Sequence, residues 1–140
     1  MKVSDVMTPN PRTVQLSDTI EDAARIMRDE DTGAVPVIED DRVVGMITDR
    51  DIVIRAVADG DFECTIDDIV SDDVVCATPE MSTAEAAELM SEHQIRRLPV
   101  VDDDEHLVGI VSIGDIAVKE GRDARTGETL ENISEGVKRH

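Results

Sequence analysis

Gly45-Met46-Ile47-Thr48-Asp49-Arg50-Asp51-Ile52 returns 64 positions later as Gly109-Ile110-Val111-Ser112-Ile113-Gly114-Asp115-Ile116. Both stretches leave an apolar, β-branched run through a hydroxyl residue and reach a carboxylate three positions on, the pattern of a strand that ends in a capped helix. The duplication extends upstream. Val35-Pro36-Val37 returns as Leu98-Pro99-Val100, and Asp22-Ala23-Ala24 with Met27 returns as Glu85-Ala86-Ala87 with Met90, both at an offset of 63. The additional residue falls in the acidic turn Asp102 to Glu105, where an insertion between strands is tolerated at the surface. An internal repeat of this kind decides the architecture before any single element is assigned.

Each copy reads the same way. Ile20, Ala23, Ala24 and Met27 stand at i, i+3, i+4 and i+7, which predicts a helix from about Thr19 to Asp29 with Ser17 or Asp18 capping its start. Ala34 to Ile38 and Arg42 to Ile47 flank Glu39-Asp40-Asp41 as the arms of a hairpin, and a second helix is expected from Asp49 to Ala58. Its counterpart starts at Ile113 and carries Ile116, Ala117 and Val118. Short strands at Arg12-Thr13-Val14 and Val74-Val75-Cys76-Ala77 complete the order β-α-β-β-α, twice. The repeats occupy about residues 3–58 and 66–120, joined at the polar Ala58-Asp59-Gly60-Asp61. This gives segments 1–60 and 61–120 and a C-terminal tail 121–140. In that tail Leu130, Ile133 and Val137 predict a helix from Thr129 to Arg139. A repeat of about 60 residues is marginal alone, so the expected α/β fold packs the two about a pseudo-twofold axis.

Composition narrows the function classes. The 140 residues include 33 acidic and 14 basic ones, for a formal net charge of −19. Such a field repels phosphate backbones and anionic lipid, so nucleic acid and membrane surfaces are not expected partners. No apolar run approaches the roughly 20 residues of a membrane span, and the N-terminus leads into no signal-peptide core, so a cytoplasmic protein is expected. Asp outnumbers Glu 20 to 13 and Arg outnumbers Lys 11 to 3, with one Phe and no Trp or Tyr, a composition that resembles proteins of salt-loving organisms. Cys64 and Cys76 lie 12 apart with no second pair to complete a zinc site, and read as buried reduced thiols. His93, His106 and His140 form no metal spacing, and no nucleophile with an adjacent base is present, so neither an enzyme nor a bound cofactor is expected. The acidic turn lacks the spaced ligands of a calcium loop.

Two motifs remain as candidate binding residues. In Thr48-x-x-Asp51 and Ser112-x-x-Asp115, a carboxylate can accept hydrogen bonds from both hydroxyls of a ribose, and the hydroxyl at the helix start can help receive a phosphate. The same residues also satisfy the capping box, and spacing alone leaves both readings open. Arg96-Arg97 precedes Leu98-Pro99 where Gly33-Ala34 precedes Val35-Pro36, and the planar fork of Arg suits phosphate or, equally, nearby carboxylates such as Glu92 or Asp102. Arg50 is a third cation, with Gly114 as its counterpart.

With Asp5-Val6-Met7-Thr8-Pro9, Ala34-Val35-Pro36-Val37, Arg97-Leu98-Pro99-Val100-Val101-Asp102 and the paired Gly-x-x-[Thr/Ser]-x-x-Asp segments, the chain resembles the CBS-domain family, as a tandem pair forming one Bateman module. The resemblance implies a regulatory module that binds an adenosine nucleotide such as AMP or ATP between its repeats. It also implies signalling to an unidentified protein target. Adenine would rest against Val14 or Ala77 and the Val35-Pro36 or Leu98-Pro99 strands. S-adenosyl compounds, metal ions and a ligand-free interaction role are the family's alternatives. The resemblance further implies a homodimer, for which the helix faces around Ile20, Ala24 and Met27, and around Ala87 and Met90, are the expected contact.

Charge alone carries a prediction. At 0.01 M salt the Debye length of about 30 Å spans the molecule, and near 1 M it falls to about 3 Å, so added salt relieves the self-repulsion that opposes folding. The thermal midpoint followed by circular dichroism is expected to rise steadily from 0.01 M to molar KCl.

Overall fold

The computed structural model describes residues 1–70 and 74–123. The helix expected at Thr129–Arg139 lies outside the described residues. The chain forms two compact units, each with a three-stranded sheet. One gathers Pro11–Val74 with Glu105–Leu107; the other gathers Met1–Asn10, Val75–Asp104 and the described residues from Val108 onward.

In the first of these, β2 (Val14–Gln15) pairs parallel with β3 (Ala34–Glu39), which pairs antiparallel with β4 (Arg42–Thr48) in the order β2-β3-β4. The hairpin turns at Asp40 and Asp41, whose φ of 51° and 64° are the left-handed pair that a two-residue turn between twisted strands requires. Helix α2 (Ile20–Glu30) lays Ile20, Ala23, Ile26 and Met27 into the core with Val35, Val37 and Ile47. Its cap is Thr19, one or two residues later than expected: Thr19 Oγ1 accepts from Asp22 N at 3.2 Å and Asp22 Oδ2 accepts from Thr19 N at 3.1 Å. Asp18 instead accepts from Gln15 N at 2.8 Å, which closes the turn before the cap. The helix expected over Asp49–Ala58 is α only over Asp49–Ile52 (α3) and widens to a π turn at Val53–Val57. Ala56 is buried there while Val53, Ile54 and Val57 are exposed.

This unit is completed by the chain that follows the first repeat. The single turn α4 (Ile66–Ile69) buries Ile66 and Ile69 in the same core, and Ile66 N and Asp67 N donate to Asp18 O and Leu16 O at 2.8 and 3.0 Å.

The other unit repeats the plan, its sheet ordered β1-β6-β5. Helix α5 (Thr83–His93), capped by Ser82, buries Ala86 and Met90 against Leu98, Val100 and Val111. β5 (Arg97–Val101) and β6 (Leu107–Ser112) form the hairpin, and α6 (Ile113–Asp123) follows with Ile116 in the core. Ala77 bridges Val100 in parallel, as β2 does β3. The leading turn α1 (Val3–Val6) buries Val3 and Val6 in this core, and β1 (Thr8–Pro9) pairs antiparallel with β6 at Ile110 and Gly109. Gly109 is required there, because a Cβ would stand 2.6 Å from Met7 Sδ and 3.0 Å from Thr8 O. The segment that opens each repeat therefore packs in the unit that holds the rest of the other repeat.

These cores correct the expected contact for a second copy. Ile20, Met27 and Met90 are buried within their own units, with Ala87 half-buried and only Ala24 exposed, because each stripe turns onto its own sheet. Ile66→Ala is expected to cost about 2–5 kcal/mol of stability through the cavity it leaves. Phe62→Ala, at a side chain 64% exposed, should stay within about 0.5 kcal/mol, and urea titrations of the two variants against the parent check both.

Candidate functional site

The repeated motifs sit at corners where a strand of each hairpin hands over to a helix. At the first, β4 ends on Thr48, paired with Ala34. Thr48 N donates to Asp51 Oδ2 at 3.0 Å, and Asp51 N donates to Thr48 Oγ1 at 3.1 Å. Asp49 N donates to Gly33 O at 2.9 Å, which fastens the helix start to the residue preceding β3. Asp51 Oδ1 lies 4.0 Å from Arg55 Nε, and Arg55 Nη1 donates to Ile69 O at 3.1 Å. Arg50 and Asp49 are exposed, and the Asp51 side chain is 22% exposed.

The second corner has the same frame. Ser112 N donates to Asp115 Oδ2 at 3.2 Å, Asp115 N to Ser112 Oγ at 3.0 Å, and Ile113 N to Arg96 O at 2.9 Å. Arg96 is exposed and Arg97 half-buried at the start of β5. In both corners the hydroxyl–carboxylate pair forms the reciprocal cap of its helix. Capping leaves further capacity: each hydroxyl accepts in the cap and keeps its proton to donate, and each carboxylate keeps a second oxygen.

The apolar candidates are placed differently. Val14, Val35 and Pro36 in one unit, and Ala77, Leu98 and Pro99 in the other, are buried, with Val14, Val35, Ala77 and Leu98 in the cores. Sequence reasoning missed a cavity of about 410 Å³ at the far end of β3 from Thr48, lined by Gln15, Leu16, Ser17, Ile38 and the turn Glu39-Asp40-Asp41. Its three carboxylates make it a poor receptor for phosphate.

Cys64 is buried, and that burial, with the carboxylates of Asp61 and Asp68, pushes its thiol up from the usual range, so it stays protonated and weakly nucleophilic. Cys76 is half-buried, and both thiols are free of disulfides. His93 and His106 are exposed. No described helix is long and apolar enough to cross a membrane.

The family's sequence model, described as CBS domain, matches residues 3–57 and 66–119, one match for each repeat. The chain belongs to the CBS domain family. As a CBS pair it is 44% identical over 133 residues to the CBS domain-containing protein YhcV of Bacillus subtilis (strain 168), covering 94% of each chain. Among solved structures it resembles the CBS domain pair of protein MJ0100 in complex with 5′-methylthioadenosine and S-adenosyl-L-methionine, at 31% identity and TM-score 0.80 over 88% of this chain and 98% of that one. It also resembles CBSX2 in complex with AMP, at 27% identity and TM-score 0.77 over 89% and 98%. Hypoxic Response Protein I with two coordinated zinc ions matches at 38% identity and TM-score 0.74 over 85% and 98%. The α/β fold of two CBS repeats read from the sequence is thus the fold of this chain.

The caps have a measurable weight. Thr48→Ala and Ser112→Ala are each expected to destabilise the CBS pair by about 1 kcal/mol, since each leaves a helix-start N–H without its acceptor, as denaturant melts will show.

Proposed function

We propose that this CBS pair is a regulatory module, without catalytic activity of its own, that binds an adenosine nucleotide such as AMP or ATP at its strand-to-helix corners and passes the bound state to a separate protein chain. The observation that carries this reading is the duplicated corner itself, where Oδ2 of Asp51 and of Asp115 accepts from Thr48 N and Ser112 N and the second oxygen of each carboxylate stands outside the cap, that of Asp51 4.0 Å from Arg55 Nε. A preorganised carboxylate loses little freedom on accepting two ribose hydroxyls. The complex of CBSX2 with AMP supports the nucleotide, and Arg96, Arg97 and Arg50 supply the charge a phosphate needs. In this reading the base lies against Val14 or Ala77 and the Val35-Pro36 or Leu98-Pro99 strands. A second copy of the chain belongs to the same proposal, as does a cytoplasmic, salt-rich setting.

A second reading has its own support. The MJ0100 complex makes an S-adenosyl compound the alternative ligand, which carries a ribose but no phosphate.

Thermal midpoints with AMP, ADP, ATP, NAD, S-adenosylmethionine and zinc test both, because a ligand that favours the folded state raises the midpoint by mass action. AMP or ATP is expected to raise it, and Asp51→Ala with Asp115→Ala is expected to abolish the rise. A rise with S-adenosylmethionine alone selects the second reading, and a flat panel leaves a ligand-free interaction module.

A further inference from the structure

The turn α4, which opens the second repeat, is held in the first unit from two sides. At its leading end the ties are main chain: Ile66 N and Asp67 N donate to Asp18 O and Leu16 O, and Ile20 N donates to Cys64 O at 3.4 Å. Ile66 and Ile69 are buried in that unit's core. At its trailing end Val70 N returns to Ile66 O at 2.9 Å, and the last carbonyls of so short a helix have no partner within it. Ile69 O takes its hydrogen bond from a side chain, Arg55 Nη1 at 3.1 Å, fourteen residues upstream.

Arg55 stands in the middle of the π turn Val53–Val57, next to the buried Ala56. Its guanidinium is a planar fork of five N–H donors, so one side chain can serve two acceptors at once. One acceptor is Ile69 O. The other is Asp51, whose Oδ1 lies 4.0 Å from Arg55 Nε while Oδ2 is taken by Thr48 N. Arg55 therefore faces the carboxylate oxygen that the cap leaves outside.

The two contacts depend on each other. The Arg55 side chain is 52% exposed, and a single surface contact hardly offsets the rotamer freedom that such an arginine gives up to stay in one place. Two contacts made by the same guanidinium share that loss. Once Asp51 has fixed the fork, the bond to Ile69 O forms with little further ordering, and the reverse holds. Whatever draws Asp51 Oδ1 away from Arg55 thus weakens the hold on the end of α4, from which the chain continues into the other unit at Val75. At the same offset of 64, the second repeat has Lys119, a point charge without the fork.

We infer that Arg55 is an autoinhibitory latch: it lies against the outer oxygen of Asp51 and holds the end of α4, so that a group engaging Asp51 displaces Arg55 and loosens the turn that opens the second repeat. The link joins residues of one unit and exists without a ligand. Its use as a signal rests on the adenosine reading above, to which it adds a route by which the bound state leaves the corner. Arg55 is a positioning residue in this scheme, acting through Asp51 and through Ile69 O.

Native-state amide hydrogen exchange, followed residue by residue by NMR, reads the seating of α4 at the N–H groups of Ile66, Asp67 and Val70. Arg55→Met keeps an apolar stem and removes the fork, and should speed exchange at Val70 by about tenfold or more, the scale of a hydrogen bond from a charged donor. Asp51→Asn keeps an oxygen for Thr48 N and removes the charge, and should speed the same amide by about twofold or more, while adding nothing in the Arg55→Met background. Amides of the β3–β4 ladder should keep their parent rates in all three chains. If Arg55→Met fails to fold, Arg55→Lys replaces it, with the same direction of change at Val70. Effects that add, or a Val70 amide indifferent to Asp51→Asn, overturn the latch and leave the adenosine reading intact. Adenosine, which carries the ribose hydroxyls without a phosphate, should speed Val70 exchange in the parent and leave it unchanged in Arg55→Met. Binding of adenosine with no change at Val70 overturns the latch as a signal, and failure of adenosine and AMP to bind the parent overturns the adenosine reading while the exchange rates of the variants still decide the latch.

Discussion

One short hydrogen bond in each unit organises the region of interest: the N–H that opens the second helix donates to the carbonyl just before the hairpin's first strand. It ties together two points of the chain that lie 16 or 17 residues apart, at the two open ends of the hairpin. Once that bond forms, the hydroxyl of Thr48 or Ser112 and the carboxylate of Asp51 or Asp115 have little choice of position, because the reciprocal cap fixes both against the same helix start. Under the proposed function, structural capping and ligand readiness are then the same arrangement. A side chain that is already ordered by its cap gives up less entropy when a ligand reaches its second oxygen.

How much of this was legible follows from which forces are local. The stripe Ile20, Ala23, Met27 and the β-branched arms around Asp40-Asp41 announce a helix and a hairpin because burial on one face imposes its period on the sequence. The choice among Ser17, Asp18 and Thr19 as cap was beyond composition, since all three side chains can accept a backbone N–H. Thr19 is selected because Asp22 stands three residues on to return the bond, while Asp18 is drawn back to Gln15. The π turn at Val53–Val57 leaves no signal in residue type. The packing of α1 and α4 in the units of the opposite repeats was also hidden, because Val3, Val6, Ile66 and Ile69 carry the same apolar pattern whichever core receives them. At the corners, the motif residues were found by their spacing, but that the apolar Val14, Val35, Ala77 and Leu98 would be used up in the cores was a tertiary fact.

The acidic composition is also used inside the architecture. Six non-glycine residues in the described chain have positive φ: Asn10, Asp31, Asp40, Asp41, Gln94 and Glu105. Asp and Asn tolerate this conformation better than most side chains, so the chain closes its helix α2 and its first hairpin with residues that also supply surface charge. Gly60 is the one described glycine with positive φ. A protein under pressure to carry many short carboxylates can thus spend them at turns, where they replace glycine without lengthening the chain's disorder in the unfolded state.

The same excess of carboxylates explains why position matters more than number at the corners. In a chain with 33 acidic residues, a phosphate is repelled wherever it arrives, and only a local reversal of charge makes a place for it. Screening at high salt shortens the reach of the distant carboxylates to a few ångströms, but not that of a group in direct contact. Asp49 Oδ1, which accepts from Arg50 N at 2.8 Å, is such a group at the start of α3. It is therefore a charge that survives screening, whereas the long-range repulsion summed in the net charge of −19 is what added salt relieves.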